Sequence, residues 1–83
     1  MKIKILPKAR KSLQKLPKTA GDKVVFAIER LAKNFPNGEN ITKLTAQPGY
    51  RIRVGDYRVL FIADSKLKVL YIVRIAHRKD AYR

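Results

Sequence analysis

Cysteine and tryptophan are both missing from this chain of 83 residues, and acidic side chains are scarce, six Asp and Glu against twenty Lys and Arg. Without cysteine there is no disulfide framework and no thiolate metal site. The same absence fits a reducing compartment, so a cytoplasmic location is the expectation. No apolar run approaches the ~20 residues needed to cross a bilayer. The opening Met1-Lys2-Ile3-Lys4-Ile5-Leu6-Pro7 lacks the long apolar stretch of a secretory leader. Amphipathic Lys-rich helices with Trp or Phe anchors are also lacking, which argues against a membrane surface as partner. Gly21, Gly38, Gly49 and Gly55 stand alone, which excludes a glycine-rich phosphate loop. One histidine and six scattered carboxylates offer no metal-ligand spacing. No metal and no small-molecule cofactor is therefore expected. Ser12 and Ser65 lie far from His77 and carry no nucleophile motif, against a hydrolase triad.

What the chain has in excess is positive charge, a formal +14. A field of that sign concentrates polyanions and speeds their capture. Nucleic acid, ribosomal RNA or an acidic protein is the natural partner. The length permits one domain, residues 1–83. A domain this small needs a compact, well-filled core.

Hydrophobic periodicity divides the chain into elements. Lys2 to Leu6 alternates as a half-buried strand does. Pro7 suits the first position of a helix, with Ala9, Leu13 and Leu16 on one face and Pro17 as its stop. A second helix starts near Thr19 to Asp22. Val24, Ile28, Leu31 and Phe35 form its stripe, Val25 and Ala32 widen it, and Pro36-Asn37-Gly38 ends it. Residues 37–49 read as a loop. Three strands follow, Tyr50 to Val54, Tyr57 to Ala63 and Leu67 to Ile75, with turns at Gly55-Asp56 and Asp64-Ser65-Lys66. The expected fold is α+β, order β-α-α-β-β-β. Two N-terminal helices cover one face of a largely antiparallel four-stranded sheet.

A two-residue turn at Gly55-Asp56 sets the hairpin register. Val54 opposes Tyr57, Arg53 opposes Arg58, Ile52 opposes Val59, Arg51 opposes Leu60 and Tyr50 opposes Phe61. Opposed residues share a face, and faces alternate along each strand. One face is thus apolar, and the other gathers Arg51, Arg53 and Arg58 without an acidic residue in either strand. Like charges directly opposite weaken a sheet, so the arrangement calls for an anion. Arginine suits a phosphodiester because its planar fork donates two parallel, charge-assisted hydrogen bonds. The C-terminal run Ile75-Ala76-His77-Arg78-Lys79-Asp80-Ala81-Tyr82-Arg83 adds the single imidazole, a side chain able to act as general base or acid. Arg78 is a further candidate phosphate ligand, and Tyr82 can stack on a base or donate its phenolic proton.

The segment Gly49-Tyr50-Arg51-Ile52-Arg53-Val54-Gly55-Asp56-Tyr57-Arg58-Val59-Leu60-Phe61 resembles the central hairpin of RelE-type toxins. The ending Ile75-Ala76-His77-Arg78-Lys79-Asp80-Ala81-Tyr82 resembles their C-terminal signature, and the first strand and helix fit as well. The resemblance to the RelE/ParE superfamily covers nearly the whole chain. It implies a four-stranded sheet backed by two helices, a cognate antitoxin partner, and cleavage of mRNA in the ribosomal decoding site. It further implies site roles for Arg51, Arg53, Arg58, Arg78 and Tyr82, with His77 fitting the members that have His-Arg there. Some members carry lysines where this chain has Arg51 and Arg53. Arginine stays protonated in proteins and is a poor proton acceptor, so the base and acid roles stay open, with His77 as the first candidate for proton transfer. Two other readings follow from the same residues. A ParE-like toxin would poison DNA gyrase without nuclease chemistry, and a plain RNA- or ribosome-binding module would bind with steep salt dependence.

Overall fold

The computed structural model describes residues 1–38 and 40–79. The elements run β1 (Lys2–Ile5), α1 (Pro7–Lys15), α2 (Lys18–Asn34), β2 (Thr42–Lys43), β3 (Tyr50–Val54), β4 (Tyr57–Asp64) and β5 (Val69–His77). Pro7 occupies the first turn of α1, where its missing N–H costs no hydrogen bond. The carboxylate of Asp64 accepts hydrogen bonds from the backbone N–H groups of Lys66 and Leu67, both at 3.0 Å. Those two bonds help shape the β4–β5 turn, which the Asp64–Val69 pair closes.

The sheet has five strands in the order β1-β5-β4-β3-β2, which corrects the expected four. The fifth is β2, a two-residue strand inside the segment expected to be loop, where Thr42 pairs with Arg51 and Lys43 with Tyr50. Two residues are too few to give a periodic signal. The sheet is mixed, because β1 runs parallel to β5 while the other pairings are antiparallel. The last strand also begins and ends two residues later than its apolar run suggests. Ala76 and His77 belong to it because their backbones pair with Arg58 and Tyr57. Among the described residues no helix is long and apolar enough to cross a membrane.

Both helices contribute to one core. Ala9 of α1 and Val24, Ile28, Leu31 and Ala32 of α2 pack with Ile52, Val59, Phe61, Leu70, Ile72 and Ile75 of the sheet. The α2 stripe is the expected one except at Val25, which is exposed, and Phe35 meets Tyr50 and Phe61 in an aromatic cluster with centroids 5.2–5.6 Å apart. The N-terminal ammonium donates to the Ala32 carbonyl at 2.8 Å, tying β1 to α2.

Strand β5 breaks its own alternation. Leu60 pairs with Arg74 but Phe61 pairs with Ile72, so Val73 is an extra residue, a β-bulge. The bulge resets the phase. Ile72 and Ile75, three apart, both lie in the core, and Arg74 opposes Leu60 on the other face.

Candidate functional site

The β3–β4 pairing has the register expected from the two-residue turn, pair for pair. Ile52, Val59 and Phe61 are buried against the helices, with Tyr50, Val54 and Tyr57 packed around them. Arg51, Arg53 and Arg58 therefore share the opposite, helix-free face. Arg53 and Arg58 are cross-strand partners, and Arg51 lies two residues along from Arg53. Their environments differ. Arg51 and Arg58 are half-buried and Arg53 is exposed. Arg53 also borders a cleft beside Arg30 and Asn34 of α2, because β2 covers β3 only at Tyr50 and Arg51. Arg58 Nη1 makes a long hydrogen bond of 3.4 Å to the Tyr57 carbonyl.

A fourth arginine joins this face. Arg74 pairs with Leu60, which pairs in turn with Arg51, so both guanidinium-bearing residues flank Leu60 in one row. Alternation along β5 does not point to Arg74, because the bulge at Val73 shifts the phase and apolar residues stand on both sides of the shift. The charge itself, in a strand otherwise almost wholly apolar, is the only signal for it.

The C-terminal residues divide. His77 pairs with Tyr57, one row beyond the Arg58–Ala76 pair. Its ring stands edge-on to Tyr57, centroids 5.5 Å apart, on the side of the sheet that carries Val59 and Ile75. The imidazole and the arginines are thus at the same end of the sheet but on opposite faces. Nδ1 of His77 accepts a hydrogen bond from the Lys79 N–H at 3.3 Å, which puts the proton of the neutral ring on Nε2. Arg78 is tied to the hairpin tip. Its N–H donates to the Asp56 carbonyl at 2.7 Å, and its Nε lies 3.9 Å from Asp56 Oδ1. That ion pair is solvent-exposed on both sides, so its contribution is about 0–1 kcal/mol at most. The stacking role expected of Tyr82 lies outside the described residues.

Four guanidinium groups on one open sheet face can bind a polyanion backbone. Arginine is always charged and acts there by electrostatics and forked hydrogen bonds rather than as a base.

The chain has relatives in both sequence and fold. The family model described as the ParE toxin of the type II toxin–antitoxin system parDE matches residues 3–82. The chain belongs to the RelE/ParE superfamily of type II toxins. Among solved structures it is similar to a RelBE toxin–antitoxin complex of Mycobacterium tuberculosis, with TM-score 0.80 and 28% identity, covering 95% of this chain and 92% of that one. The archaeal RelE–RelB complex of Pyrococcus horikoshii gives TM-score 0.76 and 29% identity over 96% and 97% of the two chains. Isolated RelE of E. coli, at 19% identity, shares the fold with TM-score 0.78 over 92% and 82%. No curated protein matches the sequence.

Proposed function

We propose that this toxin cleaves mRNA on the ribosome and is held inactive by a cognate acidic antitoxin. The observation that carries the reading is the convergence of Arg51, Arg53, Arg58 and Arg74 on one open face. In the proposed reaction the ribose 2′-hydroxyl attacks the adjacent phosphorus. A 2′-O–P bond forms, the P–O5′ bond breaks, and the products are a 2′,3′-cyclic phosphate and a 5′-hydroxyl. The arginines bind the phosphate and offset the charge that grows on its oxygens. His77 takes the 2′-hydroxyl proton, and solvent supplies one to the departing oxygen. To reach the imidazole, the strand must pass around the end of the sheet at the Tyr57–His77 row. Arg78, at that end, would hold the neighbouring phosphate, and Tyr82 would stack on the base. Ribosome binding would preset this geometry, which the free chain does not impose on RNA. The reaction uses no metal or small-molecule cofactor and belongs to the cytoplasm, where ribosomes are. The +14 charge suits an acidic antitoxin segment that folds on binding, and relatives of this fold are described as RelE–RelB complexes.

A second reading rests on the position of His77. With the imidazole across the sheet from the arginines, the basic face alone can bind but has no proton acceptor of its own among the residues named. The matching family model carries the ParE name, and a ParE-like toxin would inhibit DNA gyrase by binding. One experiment separates the two: purified chain incubated with mRNA-programmed ribosomes, and in parallel with gyrase and supercoiled DNA. The nuclease reading expects cleavage with cyclic-phosphate ends. It expects Arg58→Ala to slow cleavage about 10²–10³-fold, and His77→Phe, which keeps the edge contact with Tyr57, to slow it about 10²–10⁴-fold. Intact mRNA together with gyrase-dependent DNA breaks would replace it with the second.

A further inference from the structure

Beside the arginines the open face of the sheet sinks into a hollow of about 250 Å³. Leu44, Gln47 and Pro48 wall it on one side, and Leu60, Ile62 and Arg74 form the sheet side. The wall is held in place. The Leu44 N–H donates to the Gly49 carbonyl at 3.0 Å, closing the loop on itself. Gly49, at φ +113°, lies so close to β4 that a Cβ there would be 2.7 Å from the Phe61 carbonyl oxygen. Leu60, in the floor, has Arg51 as its neighbour on β3 and Arg74 on β5. Ile62 is 40% exposed, an apolar side chain presented to solvent beside a basic surface. The volume lies below the ~300–1,000 Å³ of pockets for drug-sized molecules, so it suits a single flat ring system.

We infer that this hollow receives one nucleobase of an RNA strand whose phosphates lie on the neighbouring arginines, and that the Gln47 amide reads the edge of that base. The inference rests on the nuclease reading and adds a specificity-determining subsite to it. A nucleobase has apolar faces and a polar rim. Leu44, Pro48, Leu60 and Ile62 match the faces. The amide of Gln47, with both a donor and an acceptor, matches the rim. Phosphate binding positions a strand but carries no sequence information, so the apolar hollow and its amide are where discrimination between bases can arise. An apolar side chain of a protein partner would fill the same floor, but it would not depend on the sugar-phosphate contacts next door.

The test is binding of the full chain to a 2′-O-methyl RNA oligonucleotide, which cannot be cleaved, and to versions with one abasic position moved along it. Loss of the base at one particular position is expected to weaken binding on the order of tenfold. Ile62→Ser should weaken the intact RNA by a similar factor and leave that abasic RNA unaffected. Gln47→Ala should change the ranking of the four bases at that position by threefold or more, again without effect on the abasic RNA. Equal affinity for intact and abasic RNAs overturns the subsite. So does Ile62→Ser weakening the antitoxin complex alone, which would assign the hollow to the protein partner. The subsite and the nuclease activity are separable by outcome. If Arg58→Ala weakens every oligonucleotide alike while no base matters, the phosphate-binding face stands and only the subsite is lost. If the parent chain leaves mRNA on programmed ribosomes intact, the nuclease reading falls and the subsite with it.

Discussion

Arg53 and Arg58 face each other directly across the β3–β4 hairpin, two like charges at a position where cross-strand pairs normally stabilise a sheet. Directly opposed like charges oppose folding by an amount comparable to what a good pair contributes, about 0.2–1 kcal/mol. Arg53→Thr removes the repulsion and places a β-branched residue in a strand. It is therefore expected to raise the unfolding free energy by roughly 0.2–1 kcal/mol in urea denaturation. The same variant should bind single-stranded RNA more weakly, with the slope of log K against log salt shallower by ~0.7. A variant that loses both stability and affinity would show that the arginine is held for structural reasons.

The arginine face was legible from residues 50–61 alone because a two-residue turn leaves one register for the hairpin, and the alternation of Tyr50, Ile52 and Val54 with Arg51 and Arg53 assigns the faces. The α2 stripe was legible for the same kind of reason, a periodic pattern over many residues. Three features were not. Strand β2 is two residues long and has no period. The parallel seat of β1 beside β5 depends on tertiary packing rather than on any local pattern. The bulge at Val73 lies in an apolar run, Leu70-Tyr71-Ile72-Val73, where either face assignment reads equally well. It hides Arg74 and also sets His77 in the Tyr57 row, across the sheet from the arginines. Side-chain direction at a strand's end depends on every residue before it, which is why the placement of the imidazole could not be read from its distance in sequence.

The two glycines that frame β3 should respond differently to a methyl group. At Gly49 an alanine Cβ would stand 2.7 Å from the Phe61 carbonyl oxygen, with φ at +113° besides. Neither the backbone of β4 nor the dihedral can yield cheaply, so Gly49→Ala should destabilise by about 1–3 kcal/mol. At Gly55 φ is +58° and nothing lies within 4 Å of an added Cβ. Asparagine tolerates that left-handed conformation. Gly55→Asn should stay within about 1 kcal/mol of the parent. Urea denaturation of the two variants in parallel checks the contrast, and equal losses would mean that the close approach of the loop to β4 is not maintained in solution.

Phe61 is 1% exposed and sits between Phe35, edge-on at 5.6 Å, and Tyr50, stacked at 5.6 Å. Truncation to alanine removes ring burial and both aromatic contacts and leaves a cavity, at about 3–5 kcal/mol. For a domain of this size that is a large share of the total stability, so Phe61→Ala should be largely unfolded at 37 °C by circular dichroism. Phe61→Leu keeps most of the volume and should lose only about 1–2 kcal/mol. A similar loss from both would indicate that the site collapses around the smaller residue.

Deleting Val73 tests what the bulge is for. The residues that remain, Leu70, Tyr71, Ile72, Arg74 and Ile75, already alternate correctly for a regular strand. Ile72 would face the core opposite Phe61, Arg74 would face outward opposite Leu60, and Ile75 would return to the core opposite Val59, which are the pairings the bulged strand makes now. No apolar residue changes face and no charge is driven inward, so the deletion should leave the fold intact, with a loss of roughly 1–2 kcal/mol, the usual range for a single local change. Bulges sharpen local twist and redirect the side chains beside them, and Val73 itself borders the hollow next to Arg74. Removal should therefore flatten the hollow, lowering affinity for RNA severalfold while thermal unfolding stays cooperative. If the deleted chain does not fold, the extra residue is needed to close the sheet on its helices. If it folds and binds RNA as the parent does, the twist at Val73 has no part in shaping the arginine face.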